Sequence, residues 1–223
     1  MSSDAEEIRN AMKGFGTNED ALIKIVANRT NAQRQKIKEA YKTSFGRDLI
    51  SDLKSELRGK LEDAIIALFT EPIEYDCEQL KKAMKGAGTD EDCLIEIITS
   101  RPNWMLKKIK EKYKEKYNKE LESDIKSDLH GDLERLLVSI LQCKRSENNN
   151  PNQGECQKLA QELVNAGEKR WGTDSAIFNK IFTGCSPAEI ICIAKEYNKI
   201  QGHTILEGIE KEFSGNTEKV FKK

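Results

Sequence analysis

The sequence predicts an all-α protein in which three like units of about five short amphipathic helices follow one another. Three observations carry that expectation. Apolar residues recur at three-and-four spacing with few competing strand signals. A 72-residue stretch recurs along the chain, and a glycine-containing motif occurs three times with an acidic residue at a constant distance behind it.

In the first unit the apolar stripes are Ile8, Ala11 and Met12; Leu22, Ile25 and Val26; Ile37, Ala40 and Tyr41; Leu49, Ile50 and Leu53; and Leu61, Ala64, Ile65 and Leu68. Each is one face of a short helix. Thr17-Asn18-Glu19-Asp20 has the form of a capping sequence that starts the second helix, and Thr89-Asp90-Glu91-Asp92 repeats it. Thr173-Asp174-Ser175-Ala176 keeps the Thr and lacks the reciprocal acid, so its cap is expected to be weaker. A shift of 72 carries Leu22, Ile37, Tyr41, Leu53 and Gly59 onto Leu94, Ile109, Tyr113, Ile125 and Gly131. A further shift of 84 carries those onto Phe178, Ile193, Tyr197, Ile209 and Gly215. The twelve extra residues lie in Lys144–Cys156, whose polar Ser-Glu-Asn-Asn-Asn-Pro-Asn-Gln-Gly run reads as a linker. The expected organisation is a first repeat over 1–71, a second over 72–143, a linker over 144–155 and a third repeat over 156–223 that stops within its last helix.

The recurrent motifs point to a site for a hard cation. Met12-Lys13-Gly14-Phe15-Gly16-Thr17 is followed by Glu56, Met84-Lys85-Gly86-Ala87-Gly88-Thr89 by Asp128, and Gly167-Glu168-Lys169-Arg170-Trp171-Gly172-Thr173 by Glu212. The carboxylate lies 40 residues beyond the last glycine each time (Gly16 to Glu56, Gly88 to Asp128, Gly172 to Glu212). Glycines allow a tight backbone turn that presents carbonyl oxygens inward, and one carboxylate from a second loop closes the cage. Ca²⁺ suits this chemistry because it accepts six to eight oxygens in loose geometry. A single carboxylate per site implies weak affinity and open positions for an outside oxygen, such as a lipid phosphate.

These residues resemble the annexins over nearly the whole chain. The resemblance rests on the Gly-x-Gly-Thr loops, Asp-Leu-Lys-Ser-Glu-Leu-x-Gly at Asp52–Gly59, Ser-Asp-Leu-x-Gly at Ser127–Gly131, Glu-Phe-Ser-Gly at Glu212–Gly215, and Lys169–Thr173. It implies tandem five-helix repeats in a right-handed superhelical array, calcium loops on one convex face, and reversible docking to acidic phospholipid. It also implies the ligands: carbonyls of Met12, Gly14 and Gly16 beside Glu56, of Met84, Gly86 and Gly88 beside Asp128, and of Gly167, Arg170 and Gly172 beside Glu212. Arg170 stands where the first two loops have Gly14 and Gly86, so the third loop is expected to need a compensating geometry. Annexins usually carry four repeats, whereas Lys222 and Lys223 fall at the positions of Ile66 and Ala67. The expectation is uncovered apolar surface and self-association through it.

Composition narrows the function classes. The chain of 223 residues is 34% charged and has only four Pro, which fits a sizeable core under polar outer faces. No apolar run approaches the roughly 20 residues of a membrane-spanning helix, and the first residues do not form a signal peptide. The expectation is a cytoplasmic protein, peripheral on membranes when calcium rises. The six Cys are spread without clustered spacing and read as unpaired residues of a reduced compartment. A net charge of −1 gives no general attraction to an anionic surface, and three bound Ca²⁺ would bring it to about +5.

The remaining features read as structural. The Lys107–Lys119 stretch interleaves glutamates with Ile109, Tyr113 and Tyr117, so it is a solvated helix face rather than a nucleic-acid patch. There is no His-Glu-x-x-His and no Gly-x-x-x-x-Gly-Lys, and neither His130 nor His203 neighbours a Ser or Cys nucleophile, so no enzyme is indicated. Trp171, inside the third loop, is the candidate membrane contact, whereas Trp104 opens a helix and is expected to pack. Two alternatives stand beside calcium-dependent lipid binding. One is a cytoskeletal or protein-binding scaffold with incidental lipid binding. The other is an ion-conducting assembly lined by Asp76, Glu96 and Arg101, for which a salt-bridge network is the competing reading.

Overall fold

A computed structural model describes residues 2–14, 16–86, 88–168 and 171–223. Among them are fifteen α-helices and no strand. The first five are α1 (Ser2–Ala11), α2 (Glu19–Ala27), α3 (Asn31–Phe45), α4 (Leu49–Glu56) and α5 (Gly59–Phe69). Next come α6 (Pro72–Ala83), α7 (Glu91–Ser100), α8 (Asn103–Tyr117), α9 (Leu121–Asp128) and α10 (Gly131–Ile140). The last five are α11 (Gln153–Ala166), α12 (Ser175–Gly184), α13 (Pro187–Gln201), α14 (Ile205–Glu212) and α15 (Gly215–Lys222). The chain divides into two compact units, residues 1–75 and 76–223.

Periodicity places the core. In the first unit Ile8, Leu22, Ile37, Tyr41, Leu49, Leu53 and Phe69 are buried together, one face from each helix. Leu94, Ile109, Tyr113, Leu121 and Ile125 bury the corresponding faces in the second unit, as do Phe178, Ile193 and Ile209. The Lys-rich α8 is dressed with ion pairs, Lys112 to Glu115 (3.2 Å) and Lys116 to Glu78 (2.6 Å), in keeping with a solvated face.

Buried polar groups repeat with the helices. Tyr41 donates its hydroxyl proton to Asp52 at 2.7 Å, and Arg47 forms a two-pronged contact with the same carboxylate at 2.8 and 2.6 Å. Seventy-two residues on, Tyr113 donates to Asp124 at 2.6 Å, with Lys81 at 2.7 Å. A second pair also recurs: Arg29 clasps Asp4 through 3.0 and 2.7 Å bonds, and Arg101 clasps Asp76 through 2.7 and 2.9 Å bonds. Asp76 and Arg101 thus neutralise each other as a structural pair, while Glu96 pairs with Lys223.

Three features differ from the sequence reading. Cys156 on α11 and Cys192 on α13 form a disulfide, with Cα atoms 5.9 Å apart, whereas all six cysteines read as unpaired. Helix–helix packing brings the two within bonding geometry, which linear spacing does not reveal. Cys77, Cys93, Cys143 and Cys185 take no part in a disulfide among the described residues. The polar segment after α10 is tied to the third repeat: Ser146 N–H donates to Gly184 O at 2.8 Å and Ser186 Oγ to Asn148 O at 2.6 Å. Its end already belongs to α11, which starts at Gln153 under an Asn152 cap. Trp104 is 54% exposed with the Lys108 ammonium 5.6 Å from its ring centroid, so a cation–π contact replaces the expected packing.

Asp52 carries a pH prediction. Its hydrogen bonds from Arg47 come first in holding its carboxyl below the usual value of 3.8, against the opposing effect of burial. The folded state therefore binds fewer protons than the unfolded chain near pH 4, so the contribution to stability is complete above about pH 3.9 and is lost as pH falls through the folded value. The guanidinium of Arg47 is half-exposed and contributes little by itself. The buried Tyr41 hydroxyl left without an acceptor sets the magnitude. Asp52→Ala is expected to cost about 1–3 kcal/mol at pH 7, and the gap from the parent should narrow below pH 4 in urea titrations.

Candidate metal centres

Each glycine motif is the connection between the first two helices of a repeat, and each distant carboxylate is the last residue of the fourth helix. Glu56 ends α4, Asp128 ends α9 and Glu212 ends α14. One backbone bond pinches each loop shut: Asn18 N–H to Ala11 O, Asp90 N–H to Ala83 O and Asp174 N–H to Ala166 O, all at 2.8 Å. The threonine closing each motif then reaches across. Thr17 Oγ1 donates to Glu56 Oε2 at 3.0 Å and Thr89 Oγ1 to Asp128 Oδ2 at 3.2 Å, and Thr173 bonds Glu212 in the same way.

The glycines of the first two loops share one backbone region. Gly14 and Gly86 both have φ of +104°, and Gly16 and Gly88 have +88° and +94°. Side chains with a Cβ rarely adopt these values, so glycine at both positions is a steric requirement. Capping also differs from the sequence reading in its actor. Asn18 and Asp90 accept from Ala21 N–H and Cys93 N–H at 3.1 and 3.0 Å, which leaves the neighbouring threonines available for the carboxylates. α12 starts without a side-chain cap bond.

The third loop solves its geometry differently. Its pinching bond spans Ala166 to Asp174, one residue more than Ala11 to Asn18 or Ala83 to Asp90. At Gly167 a Cβ would stand 3.2 Å from the Glu212 side chain, a tight approach between loop and carboxylate. Gly172 keeps the positive φ, at +79°. Arg170, an expected carbonyl donor, lies outside the described residues.

The buried carboxylate also changes place in this repeat. Gly208 occupies the position of Asp52 and Asp124, and a Cβ there would run into the Tyr197 hydroxyl. Tyr197 instead donates to Glu168 in the loop, at 3.2 Å. His203, at the position of Arg47 and Lys119, lies 2.8 Å from the same carboxylate, and Gln201 donates to it at 2.8 Å. Burial alone would raise the Glu168 pKa, but His203, Lys211 and Tyr197 together hold it below the usual value. The tyrosine and the cation keep their register while the acid moves from helix to loop. Loop three is thereby tied to α13 and α14, a role for Glu168 that sequence reasoning missed although the Asp-Asp-Gly substitution pattern signals it.

Each glycine loop meets one carboxylate, Glu56, Asp128 or Glu212. No group of three or more His, Cys, Asp or Glu side chains suited to a metal occurs among the described residues. The nitrogen and sulfur ligands that favour transition metals are therefore not gathered at the loops, whereas a hard cation served largely by carbonyls and water fits them. Trp171 stands fully exposed on the third loop, at 102%.

Tandem five-helix repeats with paired loops at one end of each repeat define a class of all-α repeat protein. The chain belongs to the annexin family: the Annexin model matches residues 3–68, 75–140 and 158–223. Human annexin A7 is 48% identical over 215 residues, covering 96% of this chain and 44% of its own length, so the chain spans less than half of that relative. The annexin III structure superposes with a TM-score of 0.93 at 40% identity, covering 99% of this chain and 69% of that one. A structure described as calcium-bound annexin (Sm)1 aligns with a TM-score of 0.84 at 30% identity, covering 99% and 67%.

The exchange at Gly208 yields a stability test. Gly208→Ala drives a methyl group into the Tyr197 hydroxyl and is expected to destabilise the protein by about 1–3 kcal/mol, as overpacking does. Denaturant melts monitored by helical circular dichroism would measure it.

Proposed function

We propose that this protein binds acidic phospholipid surfaces reversibly and only with calcium. The observation that carries this reading is the recurrence, three times, of a pinched glycine loop whose threonine holds a carboxylate brought in from the fourth helix. Loop carbonyls of Met12, Gly14 and Gly16 with Glu56 would hold the ion in the first repeat. Met84, Gly86 and Gly88 with Asp128 would do so in the second, and Gly167, Arg170 and Gly172 with Glu212 in the third. Bound calcium supplies positive charge and open coordination positions for lipid phosphate oxygens. The calcium-bound relative and the match to the Annexin model support the assignment.

The division of labour among residues follows from position. The positive-φ glycines turn the backbone, the threonines orient the carboxylates, and the buried Met12 side chain anchors the first loop to its core. Trp171, exposed on the third loop, would insert its apolar ring at headgroup level with its N–H still hydrated. No helix among the described residues is long and apolar enough to cross a membrane, so the contact in this reading is peripheral. With the formal charge at −1, attraction to an anionic surface awaits the metal.

Co-sedimentation with phosphatidylserine vesicles tests the reading. The parent should pellet with vesicles in calcium and stay in the supernatant in chelator, with calcium affinity in the absence of vesicles of about 10⁻⁴ M or weaker. The combined Glu56→Gln, Asp128→Asn and Glu212→Gln variant should stay in the supernatant under both conditions while keeping its helical spectrum. Full binding by that variant would refute the assignment. In a Trp104→Phe background, vesicles plus calcium should shift Trp171 emission to the blue. An unchanged spectrum with verified vesicle binding would remove Trp171 from the interface.

A further inference from the structure

The disulfide between Cys156 on α11 and Cys192 on α13 takes no part in the calcium loops, and its two sulfurs differ in access. Cys192 is 9% exposed and lines an open groove of about 520 Å³, whereas Cys156 is 2% exposed and is not part of that lining. Gln153, also on the groove wall, holds its side-chain oxygen 3.7 Å from Cys192 Sγ, which brings this sulfur to the wall. A reagent entering from the groove therefore meets Cys192 first.

Charge marks the same groove. Lys195, Glu196 and Lys199 line it on the face of α13 that carries Cys192, three, four and seven residues further on. Glu196 is buried and already accepts from Gln153 and Lys199. Lys195 is exposed, and no carboxylate pairs with it among the described residues. Lys195 and Lys199 against Glu196 leave the lining with one net positive charge, which draws anions. A space of this size and openness admits a tripeptide-sized molecule.

Thiol–disulfide exchange runs by attack of a thiolate on one sulfur while the other leaves as thiolate, and it is faster where the attacked sulfur is accessible and the leaving thiol has a low pKa. Cys156 suits the leaving role. It is the fourth residue of α11, which starts at Gln153 under the Asn152 cap, and the positive end of a helix favours a thiolate.

We propose that the groove beside Cys192 is a thiol-exchange site for small anionic thiols of the glutathione class. A thiolate in the groove attacks Cys192 Sγ, the Cys156–Cys192 bond breaks, and Cys156 departs as a thiolate that takes a proton from water. A mixed disulfide remains on Cys192. A second thiolate attacks the outer sulfur of that adduct and releases Cys192, which is protonated in turn. The two small thiols end as their own disulfide, and the protein gains their two electrons and two protons. Exchange thus unlinks α13 from α11, the helix that runs into the third loop at Gly167.

Reduction of the native, disulfide-bonded chain by glutathione, 2-mercaptoethanol and cysteamine tests this, with acid quenching and peptide mass mapping. The three thiolates fall in that order of negative charge. Each rate is divided by that of the same thiolate with a small uncharged disulfide, which removes differences in intrinsic nucleophilicity. The first adduct is expected on Cys192 and none on Cys156. Glutathione should open the bond about threefold or more faster than cysteamine, and about 0.5 M salt should remove most of that advantage. Lys195→Gln should lower the glutathione advantage about twofold and leave the 2-mercaptoethanol rate closer to that of the parent. Adduct position and salt response are read on the parent, so they decide the matter even if that variant fails to fold. A first adduct on Cys156, a bond that glutathione opens only in denaturant, or a thiol order that salt does not alter would each overturn the proposal.

Discussion

The structure turns on one closure repeated three times: a short loop after the first helix of a repeat is held against the end of the fourth helix by a threonine–carboxylate hydrogen bond. A glycine loop alone has too many conformations to preorganise a cation site, because glycine loses more freedom on ordering than any other residue. The 2.8 Å backbone bond across the base of each loop and the bond to Glu56, Asp128 or Glu212 remove that freedom before any ion arrives. The same closure links the loop to the core. The fourth helix that ends in the carboxylate also carries Leu53 or Ile125 into the core, together with the Asp that accepts from the buried tyrosine.

The third repeat shows how far this arrangement can vary and keep its output. It has an extra loop residue, no acid at position 208 and no Asp–Arg pair equivalent to Asp4–Arg29, since Ala160 and Cys185 stand there. Glu168 takes over as partner of the buried tyrosine, and the disulfide between α11 and α13 supplies a cross-link that the other repeats lack. Replacement of a helix-borne acid by the loop-borne Glu168 couples that residue to Tyr197 on α13, to His203 and to Lys211 on α14.

Much of this was legible in the sequence, and for identifiable reasons. Three-and-four spacing of residues such as Ile37, Ala40 and Tyr41 reports a helix face directly, and a constant interval of 40 residues reports that two segments meet, because one fold repeats. The threonine role was masked by its resemblance to a cap, as Asn18 and Asp90 sit one residue later and perform the capping. The Cys156–Cys192 bond and the Tyr197–Glu168 contact were not legible, since both depend on how α11 and its following loop pack against α13. Trp104 was misread because a helix-opening aromatic near Pro102 suggests packing, whereas Lys108 one turn later offers a cation–π partner at the surface.

Three calcium ions are expected where the loops meet their carboxylates, and anomalous diffraction from crystals grown in calcium would locate them. Peaks are expected at the three loops, each about 2.3–2.6 Å from loop carbonyl oxygens and from Glu56, Asp128 or Glu212. Peaks confined to other surface carboxylates, with the glycine loops bare in a crystal that leaves them open to solvent, would contradict that placement.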